Sequence, residues 1–140
     1  MAQIITHQFG GRASETITGA KTLKKTDNGK LFFLDAAAGA TVTLPALDEG
    51  LEFEFIVASS FATTNWVIDS AEGDNIYGAI ADLGTSHAAV IAAAEDQVNF
   101  VASAETVGDR VKLVANADNS QWLLTGFCAA NGGITVTDPS

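Results

Sequence analysis

The stretch Glu52-Phe53-Glu54-Phe55-Ile56-Val57 decides the fold class. In an extended chain successive side chains point to opposite faces, so Phe53, Phe55 and Val57 share one face while Glu52 and Glu54 occupy the other. That two-residue period predicts a half-buried strand. The same reading extends to Thr41-Val42-Thr43-Leu44, Gln97-Val98-Asn99-Phe100 and Arg110-Val111-Lys112-Leu113. Around Gln121-Trp122-Leu123-Leu124 both series are largely apolar, which predicts a strand covered on both sides. These segments are rich in Val, Ile, Thr and aromatic residues, which suit a pleated surface.

The punctuation between them agrees. Asn28-Gly29 lies between residues 17–26 and 31–35, and an Asn-Gly pair flanked by such runs predicts a hairpin. Ala38-Gly39-Ala40, Pro45 and the segment 47–50 mark further breaks. The polar tip at 115–120, with Asn116, Asp118 and Asn119, joins the Val111 and Trp122 strands. The alanine-rich segment 86–96 fits either a helix or a strand, and the narrowness of its apolar stripe favours a strand. No fixed-period repeat is evident. Short strands with regular turns predict an all-β fold: one antiparallel β-sandwich or jelly-roll-like domain over residues 13–140, preceded by an extended N-terminal arm at 1–12.

Size and composition fit that expectation. A chain of 140 residues can bury roughly 68–70% of the surface exposed by its unfolded form. With 47% hydrophobic and 17% charged residues it is not a disordered chain. The uncharged stretch 36–47 is too short and mixed to span a bilayer, which takes ~20 apolar residues. The first ten residues lack the basic start and apolar run of a secretory signal. A single cysteine, Cys128, excludes an intramolecular disulfide.

The formal charge of −10 is unevenly spread. Residues 1–30 carry Arg12, Lys21, Lys24, Lys25 and Lys30 against Glu15 and Asp27, a net +3, so the remainder carries −13. An acidic body of this kind repels phosphate backbones, so no nucleic-acid partner is expected. The basic leading segment reads either as lysines guarding an edge strand or as a docking surface.

No constellation for catalysis stands out. Gly10-Gly11 and Gly132-Gly133 lack the spacing of a phosphate-binding loop, and no serine sits in a nucleophile-elbow pattern. Two histidines, His7 and His87, with one cysteine are a poor zinc set. Cys128 reads as a small buried hydrophobe. The acidic run 69–75 lacks the bidentate Glu of a calcium loop and reads as a solvated turn, as do Asp48-Glu49, Glu95-Asp96 and the Glu105/Asp109 pair. The expectation is a non-enzyme with no catalytic residue, no metal and no cofactor.

Taken as a set, the turns and strands carry a resemblance. The run from Asp27-Asn28-Gly29-Lys30-Leu31-Phe32-Phe33-Leu34-Asp35 through Ala38-Gly39-Ala40-Thr41-Val42-Thr43-Leu44-Pro45 to Gly50 resembles small β-rich virion proteins of tailed bacteriophages. These include capsid cement (decoration) proteins and tail-fibre domains. Gly108-Asp109-Arg110-Val111-Lys112-Leu113, Gln121-Trp122-Leu123-Leu124-Thr125-Gly126 and Gly132-Gly133-Ile134-Thr135-Val136-Thr137 are similar to the closing hairpin of such modules. The resemblance covers about residues 15–137. It implies a homotrimeric virion protein on the outer surface of the capsid, bridging neighbouring major capsid protein subunits, with no nucleic-acid or membrane partner. The residues expected at that contact are Ile4, Ile5, Phe9 and Arg12, supported by Lys24 and Lys25. The alternative is a tail-associated receptor- or glycan-binding domain, for which Trp66, Tyr77 and Asn75 would form the patch, unless Trp66, which opens the apolar run Trp66-Val67-Ile68, belongs to the core.

Overall fold

The computed structural model describes residues 11–139. It is all-β: twelve strands form a seven-stranded sheet and a five-stranded sheet packed face to face, as a sandwich. The strands are β1 (Ser14–Ile17), β2 (Lys21–Thr22), β3 (Leu31–Leu34), β4 (Thr41–Thr43), β5 (Glu52–Val57) and β6 (Trp66–Asp69) in the first half. The second half supplies β7 (Ile76–Asp82), β8 (Val90–Glu95), β9 (Gln97–Phe100), β10 (Arg110–Asn116), β11 (Gln121–Cys128) and β12 (Ile134–Thr137). The orders are β1-β3-β5-β10-β11-β7-β8 and β12-β9-β6-β4-β2.

The sheets are mixed, which corrects the antiparallel expectation: five of the ten pairings are parallel. One of the five joins β7 to β11, and the other four lie in the first half. There the chain alternates between sheets, β1 to β2, β3 to β4, β5 to β6, so each return enters the same sheet in the same direction. Three stacked rungs result, with β1∥β3∥β5 in one sheet and β2∥β4∥β6 in the other. Buried Ile17, Leu34 and Val57 stand in register across the rungs, and Phe32 stacks on Phe55 with ring centroids 5.4 Å apart. Ser14 aligns with Leu31 and Leu31 with Glu54, so the rungs are of unequal length and leave no fixed period in the sequence.

The expected hairpin at Asn28-Gly29 is absent for the same reason. Asn28 (φ −50°, ψ 134°) and Gly29 (φ +84°) form a type II turn, closed by Lys30 N–H donating to the Asp27 carbonyl at 3.1 Å. A type II turn does not match the twist of a hairpin. Here it sends the chain from the second sheet back to the first.

In the second half β10 and β11, β7 and β8, and β9 and β12 pair antiparallel, but β7 lies parallel to β11. β10 and β11 pair antiparallel through the 115–120 tip, as the sequence predicts, with Ser120 left-handed at φ 56°. Segment 86–96 contributes strand β8, and Asp96 alone forms the corner where the chain crosses to β9. Ala94, at φ 73°, is the extra residue of a bulge against Ile76/Tyr77. Between the sheets lies one continuous core that includes Trp66, Trp122, Phe32, Phe53, Phe55, Phe61 and Phe100, all essentially buried. β11 departs from expectation: Trp122 and Leu124 face the core, while Leu123 is 41% exposed. Its outer face is open.

Candidate interaction surfaces

Three features of the surface have chemistry to offer: the open end of the rungs, the loops, and the outer face of the seven-stranded sheet.

At the open end, β1 and β2 are the edge strands of their sheets. Glu15 of β1 forms ion pairs with Lys21 at 2.7 Å and Lys30 at 3.1 Å, and Lys30 also holds Asp27 at 2.8 Å. Lys21, followed by Lys30, holds the Glu15 carboxyl below its ordinary value. Partial burial works against ionisation of Asp27, yet the Lys30 ammonium and the Lys24 N–H outweigh it and lower its pKa. Asp27, then Glu15, raise the Lys30 ammonium. Charges at a sheet edge discourage unwanted strand pairing, so much of the basic leading segment works inside the chain.

Of the sequence-derived contact residues, Ile4, Ile5 and Phe9 lie outside the described residues. Arg12 is a clamp. Its Nε donates to the Gly29 carbonyl at 2.7 Å and its guanidinium pairs with Glu54 at 2.5 Å and Glu52 at 3.9 Å. Lys25 pairs with Asp48 at 3.3 Å across a mostly exposed gap, and Lys24 is exposed. The glycan patch is not assembled: Trp66 and Asn75 are buried, and only Tyr77 reaches an outer face. Cys128 is fully buried and burial pushes its thiol up, which fits an inert core residue.

The loops are tied to one another by side-chain acceptors. Asn28 Oδ1 accepts from Glu52 N–H, Glu49 Oε2 from Ala117 N–H, and Glu72 Oε1 from Leu47 N–H, at 2.8–3.1 Å. At the other end Asp109 accepts from Thr106 and Ala129 N–H, both at 2.9 Å, and Asp82 from Gly84 and Gly132 N–H. Asp109 is 1% exposed, and burial raises its carboxyl above the ordinary range. Asp82 and Asp109 are thus buried acids that hold loops, while Glu49 and Glu72 tie loops from exposed positions.

Two smaller features arise from residues distant in sequence. Asp74, Asp96 and Asp138 bring carboxylate oxygens within 4.8 Å of one another. The hydrogen bond with Asp96, then the charge of Asp138, raise the Asp74 carboxyl. Sequence reading singled out Glu95-Asp96 and the 69–75 run separately, with no local signal that they meet. A cavity of about 330 Å³ is lined by Ala37, Ser60, Phe61, Ala62, Ser103 and Glu105. Glu105 Oε1 accepts from Phe61 N–H at 3.1 Å, while its buried Oε2 has no partner among the described residues.

The outer face of the seven-stranded sheet divides in two. Over β5 and β10 it is ionic: Glu54 meets Arg110 at 3.4 Å, and Glu52 meets Lys112 at 2.8 Å. Over β11, β7 and β8 it is apolar. Leu123 and Phe127 on β11, Ile91 on β8 and Leu83 just past β7 account for four of the five large hydrophobic residues described as exposed.

Compared with protein-family models, with curated proteins and with solved structures, the chain matches none.

Proposed function

We propose that this chain is a structural virion protein of the capsid-decoration kind, which stabilises a tailed-phage head by bridging neighbouring major capsid protein subunits and carries out no catalysis. The observation that carries the reading is the tying of the loops. A bridging module transmits load between its contacts, so it needs a body that does not deform. Here loops at both ends are pinned by Asn28, Glu49, Glu72, Asp82 and Asp109 through bonds to the backbone of other segments. The resemblance of the turns and strands to phage β-rich virion proteins supplies the setting. The acidic body disfavours nucleic acid as a partner.

On this reading the shell contact lies at the open end of the rungs. Arg12 fixes the point where the leading segment leaves the body, and Ile4, Ile5 and Phe9 are the apolar anchors upstream of it. Exposed Lys24 and Lys25 lie at the same end. The tail-associated glycan reading has lost its patch, because Trp66 and Asn75 are interior.

Undecorated heads of the phage that carries the gene provide the test. The chain should co-sediment with them saturably, in proportion to the major capsid protein, and raise the temperature at which the heads rupture. Removing residues 1–10 together with Lys24→Glu and Lys25→Glu should abolish binding while leaving circular dichroism unchanged. A folded chain that fails to pellet with heads, or one whose binding ignores those changes, overturns the proposal.

A further inference from the structure

We propose that the cavity beyond the end of β3 is a binding site for an alkylammonium group, a primary ammonium on an unbranched apolar stem of the kind a lysine side chain presents. The inference does not depend on the shell contact, which lies at the opposite end of β3, where Arg12 bonds Gly29.

The loops that follow β3, β5 and β9 build the cavity. The middle loop, 58–65, is tied to both neighbours. Ala62 N–H donates to the Ala37 carbonyl at 3.1 Å, Gly39 N–H to the Thr64 carbonyl at 3.0 Å, and the Thr64 hydroxyl to the Gly39 carbonyl at 2.7 Å. On the other side Ser103 N–H donates to the Phe61 carbonyl at 3.0 Å, and Ala102 N–H to Asn65 Oδ1 at 2.9 Å. Ser103 is left-handed at φ 65°, in a turn from which both Ser103 and Glu105 line the cavity. A space of about 330 Å³ held by such a framework is preformed and falls at the lower end of small-ligand sites.

The lining divides by chemistry. Ala37, Phe61 and Ala62 are apolar, Ser60 and Ser103 offer hydroxyls from exposed positions, and Glu105 brings the one charge. Phe61 N–H engages Glu105 Oε1 at 3.1 Å, whereas the buried Oε2 has no partner among the described residues. A carboxylate oxygen withdrawn from water without a donor is costly. No cation of this chain serves it: six of the seven basic residues form ion pairs with other acids, and the seventh, Lys24, lies at the shell-contact end. A second acid adds to the demand. Burial, and after it the charge of Glu105, raise the Asp109 carboxyl, so a cation beside Glu105 would relieve both groups.

Charge and shape then select the ligand. Glu105 repels an anion, and a neutral apolar group leaves Oε2 unpaired. An ammonium has three donors, which match Oε2 and the two serine hydroxyls. It is a compact point charge, better suited than a planar guanidinium to an oxygen this withdrawn, and its stem can lie against the alanine methyls and Phe61.

Titration of the isotope-labelled full chain with Nα-acetyl-lysine methylamide, followed by NMR at neutral pH, tests this. Amide resonances of residues 60–62 and 103–105 should shift together and saturate, with a Kd of ~1–10 mM for so small a ligand. The norleucine analogue, which has the stem but no ammonium, should leave them in place, and the arginine analogue should bind more weakly. Glu105→Gln keeps an acceptor for Phe61 N–H, so its thermal melt should match the native one while binding weakens by at least ~10-fold. Ala37→Leu, at an exposed position on the cavity wall, should block binding with the carboxylate intact. Butylamine separates the sources of the ligand. Tighter binding of the lysine compound assigns the site to a lysine of a protein partner, and equal or tighter binding of butylamine assigns it to a free amine. Shifts that never saturate overturn the proposal, as do shifts centred on other acidic residues. So does binding that the norleucine analogue matches, or that survives both Glu105→Gln and Ala37→Leu.

Discussion

Replacing Asp109 by alanine tests whether buried acids hold this sandwich together. Asp109 sits where three segments meet. Its two carboxylate oxygens accept from Thr106 and Ala129 N–H at 2.9 Å, and its carbonyl accepts from Val57 N–H at 2.9 Å. Asp109→Ala keeps the carbonyl bond and orphans two amides. Each orphaned buried donor costs about 1–3 kcal/mol, a gross loss of roughly 2–6 kcal/mol. Removing a carboxylate that burial destabilises returns part of that, leaving an expected net loss of ~2–4 kcal/mol. For a chain of this length the melting temperature should fall by about 6–16 °C. Asp109→Asn keeps one acceptor and turns an NH₂ toward the other amide, so roughly half the loss is expected.

The pH dependence gives a second, independent check. Because burial raises the Asp109 pKa, the folded chain holds this proton to higher pH than the unfolded chain, whose carboxyl titrates at its ordinary 3.8. Its contribution to stability is therefore fullest below that value and declines as pH rises through the folded-state pKa. The stability gap between the native protein and the non-titrating Asp109→Asn variant should be widest near pH ~4 and narrow toward pH ~7. Urea denaturation of both proteins across this range measures it. A loss below about 0.5 kcal/mol for Asp109→Ala, or a gap that widens with pH, would refute the reasoning.

Three other changes probe the rest of the fold. Gly78 has φ +143°, and a Cβ there would lie 2.0 Å from the Leu124 carbonyl oxygen, so Gly78→Ala should cost upward of ~3 kcal/mol or prevent soluble expression. A variant as stable as the native chain would exclude the Gly78–Leu124 register. Ala94 occupies the bulge at φ 73°, where glycine is free of the Cβ penalty, so Ala94→Gly should raise stability by about 0.5–1 kcal/mol in thermal melts; a lower melting temperature would count against the bulge. Lys30→Met removes the cation shared by Asp27 and Glu15, whose lowered pKa values make their contributions present above the ordinary carboxylate range and lost as pH falls through the folded values. The stability difference between this variant and the native protein should shrink as pH drops from about 5 to about 2, and a constant difference would show that the pairs carry none of it.

What the residues dictate locally was legible in the sequence. The two-residue alternation at 52–57 and 110–113 predicts strands with Phe53, Phe55, Val111 and Leu113 inward, and all four are buried. The polar tip at 115–120 predicts its hairpin, because that turn joins neighbours in one sheet. Direction of pairing was not legible. Whether the strand after a turn lies beside its predecessor or in the opposite layer depends on where the chain can bury its far face, and Asn28-Gly29 looks the same in either case. The surfaces follow the same division. Composition shows a basic leading segment on an acidic body, but only the fold shows that Lys21 and Lys30 hold Glu15, that Asp109 and Asp82 hold loops, and that Asp74, Asp96 and Asp138 meet. Leu123, in a strand expected to be covered on both sides, is exposed, as are Phe127 and Ile91. Their exposure was decided by which face of the seven-stranded sheet the second sheet covers, since a sandwich of two layers has one interior and leaves the outer side of each sheet open.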